Sequence, residues 1–184
     1  MAKQNSTKVV TGIVRLSYAN IWEAKPPISG GEPRYSCSLL IPKSDTETLN
    51  AIKAAIDCAI QEGIGKFGGK VPNKAALKLP LRDGDLERDD EAYKGCWFIN
   101  AKSKTAPQVV DRNVKPILDQ SEIYSSVYAR VSITLYAFSV NGNKGVACAL
   151  GNIQKIRDGE SLGGHSSASS DFDAVDEPDD DFLR

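Results

Sequence analysis

Histidine is almost absent from this chain of 184 residues; the one copy is His165. It falls in a Gly/Ser-rich stretch, so a His-centred triad or a His-built metal site has no place in an ordered body. Cysteine is sparse and scattered, at Cys37, Cys58, Cys96 and Cys148, with no C-x-x-C pair. That spacing excludes a paired-ligand zinc site and argues against a disulfide framework, so buried, reduced thiols are expected. No apolar run approaches the roughly 20 residues that a membrane helix needs. Residues 1–7 lack the apolar core of a secretory signal. The expectation is a protein without membrane contact that stays in the cytoplasm where it is made.

Charge is present in both signs but unevenly placed. The whole chain is nearly neutral, at −1. Residues 171–184 hold seven acidic residues against one basic, a formal charge of −6. Residues 1–170 keep 22 basic and 17 acidic residues, a net of +5. A basic body tethered to an acidic arm suits a nucleic-acid binder whose arm competes with the ligand and docks partners. The expected organisation is an ordered domain over 1–158, a flexible Gly/Ser linker over 159–170, and a disordered acidic tail over 171–184. A hydrophobic content of 41% is enough for one domain with a real core.

Periodicity assigns the elements. Residues 8–18 and 34–41 are rich in β-branched and alternating residues and read as strands. Between them, residues 25–33 are broken by Pro and Gly into a loop. Ser44-Asp45-Thr46-Glu47 has the form of a capping box with Ser44 as the cap. Leu49, Ile52, Ile56, Ala59 and Ile60 then follow at helical spacing, and Gly63 ends the helix. Residues 64–93 read as a long irregular stretch, and 94–104 as a further strand. Over residues 124–140, Val127, Ala129, Val131, Ile133, Leu135 and Ala137 alternate with Tyr128, Arg130, Ser132, Thr134, Tyr136 and Phe138. Asn141-Gly142 marks a hairpin turn, and 145–156 form the returning strand. The fold class expected is mainly β with one main helix, an OB-like antiparallel β-barrel. A five-stranded open α+β sheet fits the same pattern nearly as well.

The short motifs are mostly negative. Gly63-Ile64-Gly65-Lys66-Phe67-Gly68 matches G-x-G-x-x-G but follows a helix, so no dinucleotide and no other cofactor is expected. It reads instead as a basic loop, with Lys66, Lys70, Lys74 and Lys78 along it and Phe67 at its tip. Asp83-Gly84-Asp85-Leu86-Glu87-Arg88 resembles the start of a calcium loop, but Arg88 stands where glycine is needed and Lys94 where glutamate is. No catalytic constellation survives; the acids between Asp83 and Glu91 would be the only support for a metal-dependent nuclease.

Cations interleaved with aromatics are the positive signal. Phosphates are neutralised by Lys and Arg, while bases stack on rings regardless of sequence. Phe98, Lys102 and Lys104 form one such group, with Asn100 beside them. Tyr128, Arg130 and Tyr136 form a second on the long strand. Arg15, Trp22 and Lys25 form a third, near the Pro-rich loop, and Lys66, Phe67 and Lys70 a fourth. The bland alternative is that these rings pack under a helix or at a homodimer interface. In the tail, Asp179, Asp180 and Asp181 precede Phe182 and Leu183. A merely solubilising tail has no use for two apolar residues, so these five are the expected partner-docking element.

Several strings together resemble a family of phage and prophage single-stranded-DNA-binding proteins long labelled a domain of unknown function. They are Ser38-Leu39-Leu40-Ile41-Pro42-Lys43, Leu79-Pro80-Leu81-Arg82-Asp83-Gly84-Asp85 and Phe98-Ile99-Asn100-Ala101-Lys102-Ser103. Residues 124–136 and the run from Gly145 through Gly151-Asn152-Ile153-Gln154 to Asp158-Gly159-Glu160 complete the set. The resemblance spans roughly residues 8–164. It implies an OB-type barrel that binds single-stranded DNA without sequence preference, in phage replication or recombination, inside the bacterial host. It also implies a tail that recruits replication or recombination proteins, although this one ends Asp-Phe-Leu-Arg without a proline before the Phe. Two binding rivals fit the same charge pattern. One is a recombination mediator or annealing protein; the other is an interaction protein whose tail mimics nucleic acid and inhibits a host nuclease.

Overall fold

The computed structural model describes residues 6–26, 30–160 and 172–175. Strands β1 (Lys8–Val10), β2 (Val14–Lys25) and β3 (Arg34–Pro42) lead into helix α1 (Thr46–Glu62). After two 3-10 turns come β4 (Leu81–Asp83), the single-turn helix α2 (Gly84–Glu87), β5 (Cys96–Ser103) and β6 (Val109–Val110). The hairpin of β7 (Tyr128–Val140) and β8 (Asn143–Arg157) follows. Among the described residues, no helix is long and apolar enough to cross a membrane.

The sheet closes on itself. β2 pairs with β3, β3 with β5, and β7 with both β2 and β8, all antiparallel. The ring is completed by a parallel pairing of β5 with β8 at Lys102 and Ala149. This closure decides for the barrel over the open sheet, and it leaves no bare edge in the ring. β1 continues the line of β2 along the same edge of β7. The segment expected as one strand over 8–18 is thus two, broken around Gly12.

Alternation on β7 sorts the faces as expected. Ala129, Val131, Ile133, Leu135 and Ala137 are buried in the main core, with Leu16, Leu39, Ile41, Ile99 and Ile153 from the other strands. The helix lays Leu49, Ile52, Ile56, Ala59 and Ile60 onto this core. Each such Leu or Ile side chain contributes roughly 1.5–3 kcal/mol when fully buried. The helix cap lies one residue later than expected. The Asp45 carboxylate accepts from the Thr48 N–H at 3.2 Å, and Ser44 stays outside. Gly63 does end the helix, its N–H donating to the Ala59 carbonyl. At the hairpin, Asn141 and Gly142 hold φ at 50° and 80°, the left-handed pair that a tight two-residue turn requires.

The stretch 64–93 is ordered piecewise, and it covers part of the outer barrel face. Leu40, Tyr93 and Phe98 form a second small core there. The Tyr93 and Phe98 rings meet edge to face at 5.2 Å, and Arg88 lies 5.1 Å from the Phe98 centroid.

Candidate nucleic-acid interface

A groove crosses the outer face of the barrel where β3, β5, β7 and β8 come together. Its larger part has a volume of about 340 Å³. Four cations line it, Arg34, Lys78, Arg82 and Lys102, together with Tyr136 and Phe138; none of the lining residues is acidic. A smaller cleft of about 180 Å³ continues it, sharing Asn100 and Lys102 and reaching Tyr18 and Ser38. The small residues Ala147 and Ser36 are among the lining of the larger and the smaller part, respectively.

Segments far apart in the chain position these side chains. Strand alternation turns Asn100 and Lys102 outward while Ile99 and Ala101 face the core. Tyr136 stands opposite Ala147 across the β7–β8 ladder, and the residue is 40% exposed. Lys78 is carried by a segment lying along β8: its N–H donates to the Lys144 carbonyl and its own carbonyl accepts from the Val146 N–H. That approach needs Gly145, since a Cβ there would run into the Lys78 carbonyl. Tyr18 sits at an irregularity of β2 between Ser17 and Asn20. Among the described residues, no ion pair engages Arg34, Lys78 or Lys102, whereas Arg82 meets Glu87 at 2.8 Å.

Of the residues singled out from sequence, Lys102 and Tyr136 are brought together in this groove. Lys25 is exposed and stands in register opposite Arg34. Lys70 is exposed on its loop. Lys66 donates to the Ala137 carbonyl at 3.1 Å and so ties its turn to β7. Arg130 faces a different cleft of about 240 Å³, with Val10, Val114 and Gln154, and donates to the Thr11 carbonyl. Arg15 and Arg157 flank the Tyr128 ring at 5.4 and 4.0 Å. Arg15 also donates to the Ser126 and Glu160 carbonyls, so this group is a clasp between the ends of strands.

The structure corrects several expectations. Phe98 is 1% exposed beneath Tyr93 and Arg88, so its ring offers no face for stacking. Phe67 is not a loop tip; it closes a 3-10 turn, is 5% exposed and packs into the main core. Trp22 is half-buried, with its indole N–H donating to the Ile123 carbonyl at 3.2 Å. Lys104 lies beyond the end of β5, not on its face, and pairs with Glu32 at 3.2 Å. The tail residues Asp179, Asp180, Asp181, Phe182 and Leu183, like His165 and residues 161–170 of the linker, lie outside the described residues.

Lys78, expected only as one of the cations along the basic loop, lines the groove, and Arg34, Arg82 and Tyr18 were not singled out. Lys78, Pro80 and Arg82 recur with period two, the spacing of one face of an extended segment, and that signal was available. Nothing local marks Tyr18.

Several of the acids between 83 and 91 are held in ion pairs. Lys43 bridges Asp83 at 2.9 Å and Asp85 at 2.7 Å. These hydrogen bonds, Asp83 first, push the Lys43 ammonium above the usual lysine range. Lys43, with the Gly95 N–H, holds the Asp85 carboxyl below the usual carboxylate range. Among the described residues, no cluster of His, Cys, Asp and Glu is arranged to hold a metal ion.

A closed five-strand ring with a cationic, aromatic groove on its outer face defines an OB-like barrel of the nucleic-acid-binding class. The chain belongs to the family of the Enterobacter phage Enc34 ssDNA-binding protein, whose model matches residues 7–183. It is 34% identical over 175 residues to putative protein p50 of Acyrthosiphon pisum secondary endosymbiont phage 1, covering 90% of this chain and 92% of that protein. The single-stranded DNA-binding protein of bacteriophage Enc34, solved in complex with ssDNA, superimposes with a TM-score of 0.72 at 25% identity, covering 89% of this chain and 96% of that one. The single-stranded DNA-binding protein gp2.5 of bacteriophage T7 shares the fold, with a TM-score of 0.62 at 15% identity and coverages of 93% and 97%.

Proposed function

We propose that this chain is a sequence-independent single-stranded-DNA-binding protein of a phage, acting in replication or recombination in the cytoplasm of the bacterial host. The observation that carries this reading is the groove itself: four cations and two aromatic rings, with no acid among its lining. Phosphates meet Arg34, Lys78, Arg82 and Lys102, and bases stack on Tyr136 and Phe138. Membership in the Enc34 family supports the same ligand.

The residues 171–184 serve as a competing arm in this reading. At a formal −6 against a body of +5, the arm is drawn to the groove when DNA is absent. DNA displaces it, and Phe182 and Leu183, flanked by aspartates, then recruit replication or recombination proteins. The linker over 159–170 supplies the reach.

Fluorescence anisotropy of a labelled oligo-dT, titrated with salt, tests both parts using the full chain and a 1–170 truncation. Several phosphate contacts give a log–log slope of about −0.7 per contact. Tighter binding by the truncation supports competition, and weaker binding overturns it. No binding by either protein overturns the single-strand reading.

A further inference from the structure

Two local anomalies meet at one end of the groove. Tyr18 holds φ at 48°, in the left-handed region that bulky residues rarely adopt, and it is 64% exposed. Ser38 is 4% exposed, yet its Oγ has no hydrogen-bond partner among the described residues. Both line the same cleft of about 180 Å³, with Ser36, Asn100 and Lys102.

The barrel itself calls for neither feature. Ser38 alternates with the core residues Cys37 and Leu39, so its side chain is on the outer face of β3. Its cross-strand neighbours are Ser17 and Asn100. Ser17 is already satisfied, accepting from the Tyr93 hydroxyl at 3.0 Å. A methyl group in place of the Ser38 hydroxyl would suit the nearby apolar surface better. Strain and unpaired polar groups of this kind persist at ligand sites, where the ligand completes what the fold leaves open.

We propose that this cleft is a nucleobase-capture subsite. One base leaves the stack and inserts with its edge on Ser38 Oγ and Asn100 and its face on Tyr18, while the adjoining phosphate meets Lys102. A hydroxyl donates and accepts and rotates to suit, and Asn100 brings both an amide N–H₂ and a carbonyl. The pair therefore satisfies the edge of any base, so the subsite anchors the strand without selecting its sequence. The inference rests on the single-strand reading above and deepens it.

The test compares wild type with Ser38→Ala on oligo-dT and on a fully abasic oligonucleotide of the same length. The expected result is an unfolding midpoint unchanged or raised, because an unpaired buried hydroxyl is deleted. Affinity for oligo-dT falls about fivefold, the loss of one hydrogen bond. On the abasic strand the two proteins bind alike. Asn100→Ala, at an exposed position, gives the same pattern. Equal affinity of wild type and both variants for oligo-dT overturns the subsite and leaves the single-strand reading intact. A fall in midpoint with equal losses on both strands also overturns it, making Ser38 a packing residue. Failure of wild type to bind either strand overturns the reading and the subsite together.

Discussion

The Arg157 guanidinium lies 4.0 Å from the centre of the Tyr128 ring, its partner across the β7–β8 ladder. Arg15, reaching over from β2, stands 5.4 Å from the same ring. The three residues thus join strands on both sides of β7, and the ring is already in contact with cations. Tyr128→Ala should lower stability by roughly 1–3 kcal/mol through lost packing and cation–π contact. Affinity for oligo-dT, measured below the unfolding transition, should change little. Calorimetry and anisotropy on the same preparation check both statements.

The groove cations should be separable by salt. Arg34→Ala, Lys78→Ala and Lys102→Ala should each weaken oligo-dT binding and flatten the log–log salt slope by about 0.7. Lys66→Ala should leave the slope unchanged and lower stability instead, because its ammonium is spent on the Ala137 carbonyl. Salt titrations of the four variants decide between these outcomes.

Aromatic substitutions should divide the same way. Tyr136→Ala removes an exposed ring from the groove and should weaken binding by roughly 1–3 kcal/mol, the worth of one stacked base. Phe98→Ala opens a cavity between Leu40 and Tyr93 and should cost about 3–5 kcal/mol of stability. Denaturant melts beside binding curves show which quantity moves in each.

Gly145→Ala puts a Cβ against the Lys78 carbonyl. The segment carrying Lys78, Pro80 and Arg82 should then lift from β8, weakening DNA binding well beyond the effect of Lys78→Ala alone. Hydrogen exchange at the Lys78 and Val146 amides, which make the bridging bonds, would rise in the variant. Unchanged protection at both amides would refute this placement of Lys78.

Burial pushes the Cys37 and Cys148 thiols up to about 12 from an ordinary value near 9.0. Their folded-state values exceed the unfolded ones, so the stability they contribute is complete below pH 9 and is lost as pH rises from about 9 towards 12. In that window the unfolded chain gives up these protons first, and each thiol lowers stability by about 1.4 kcal/mol per pH unit. Alkaline melts of the wild type and of Cys37→Ala and Cys148→Ala check the sign. In native alkylation, the half-buried Cys58 and Cys96 should react before either buried thiol.

The sequence by itself determined the elements whose pattern is local. Residues 128–138 alternate strictly because one face of β7 meets the core and the other is turned away from it. The helix over 46–62 shows its stripe because a single face is buried, and Asn141-Gly142 announces its turn because few residues accept left-handed backbone. The charge separation between body and tail is likewise a property of the chain alone. Lys102 and Tyr136 were legible as outward-facing residues from strand alternation next to their neighbours.

What the tertiary structure decided was everything that depends on segments far apart in the chain. Closure rests on β5 meeting β8 at Lys102 and Ala149, a pairing that no local pattern encodes. Phe98 obeys the same alternation as Lys102, yet only Lys102 is exposed, because Tyr93 and Arg88 fold back over the Phe98 end of β5. Tyr18 and Ser38 acquire their meaning at a common cleft, where an irregular strand turns one outward and the barrel wall buries the other without a partner. Periodicity reports which way a side chain leaves its own backbone, and the packing of distant segments decides what it meets there.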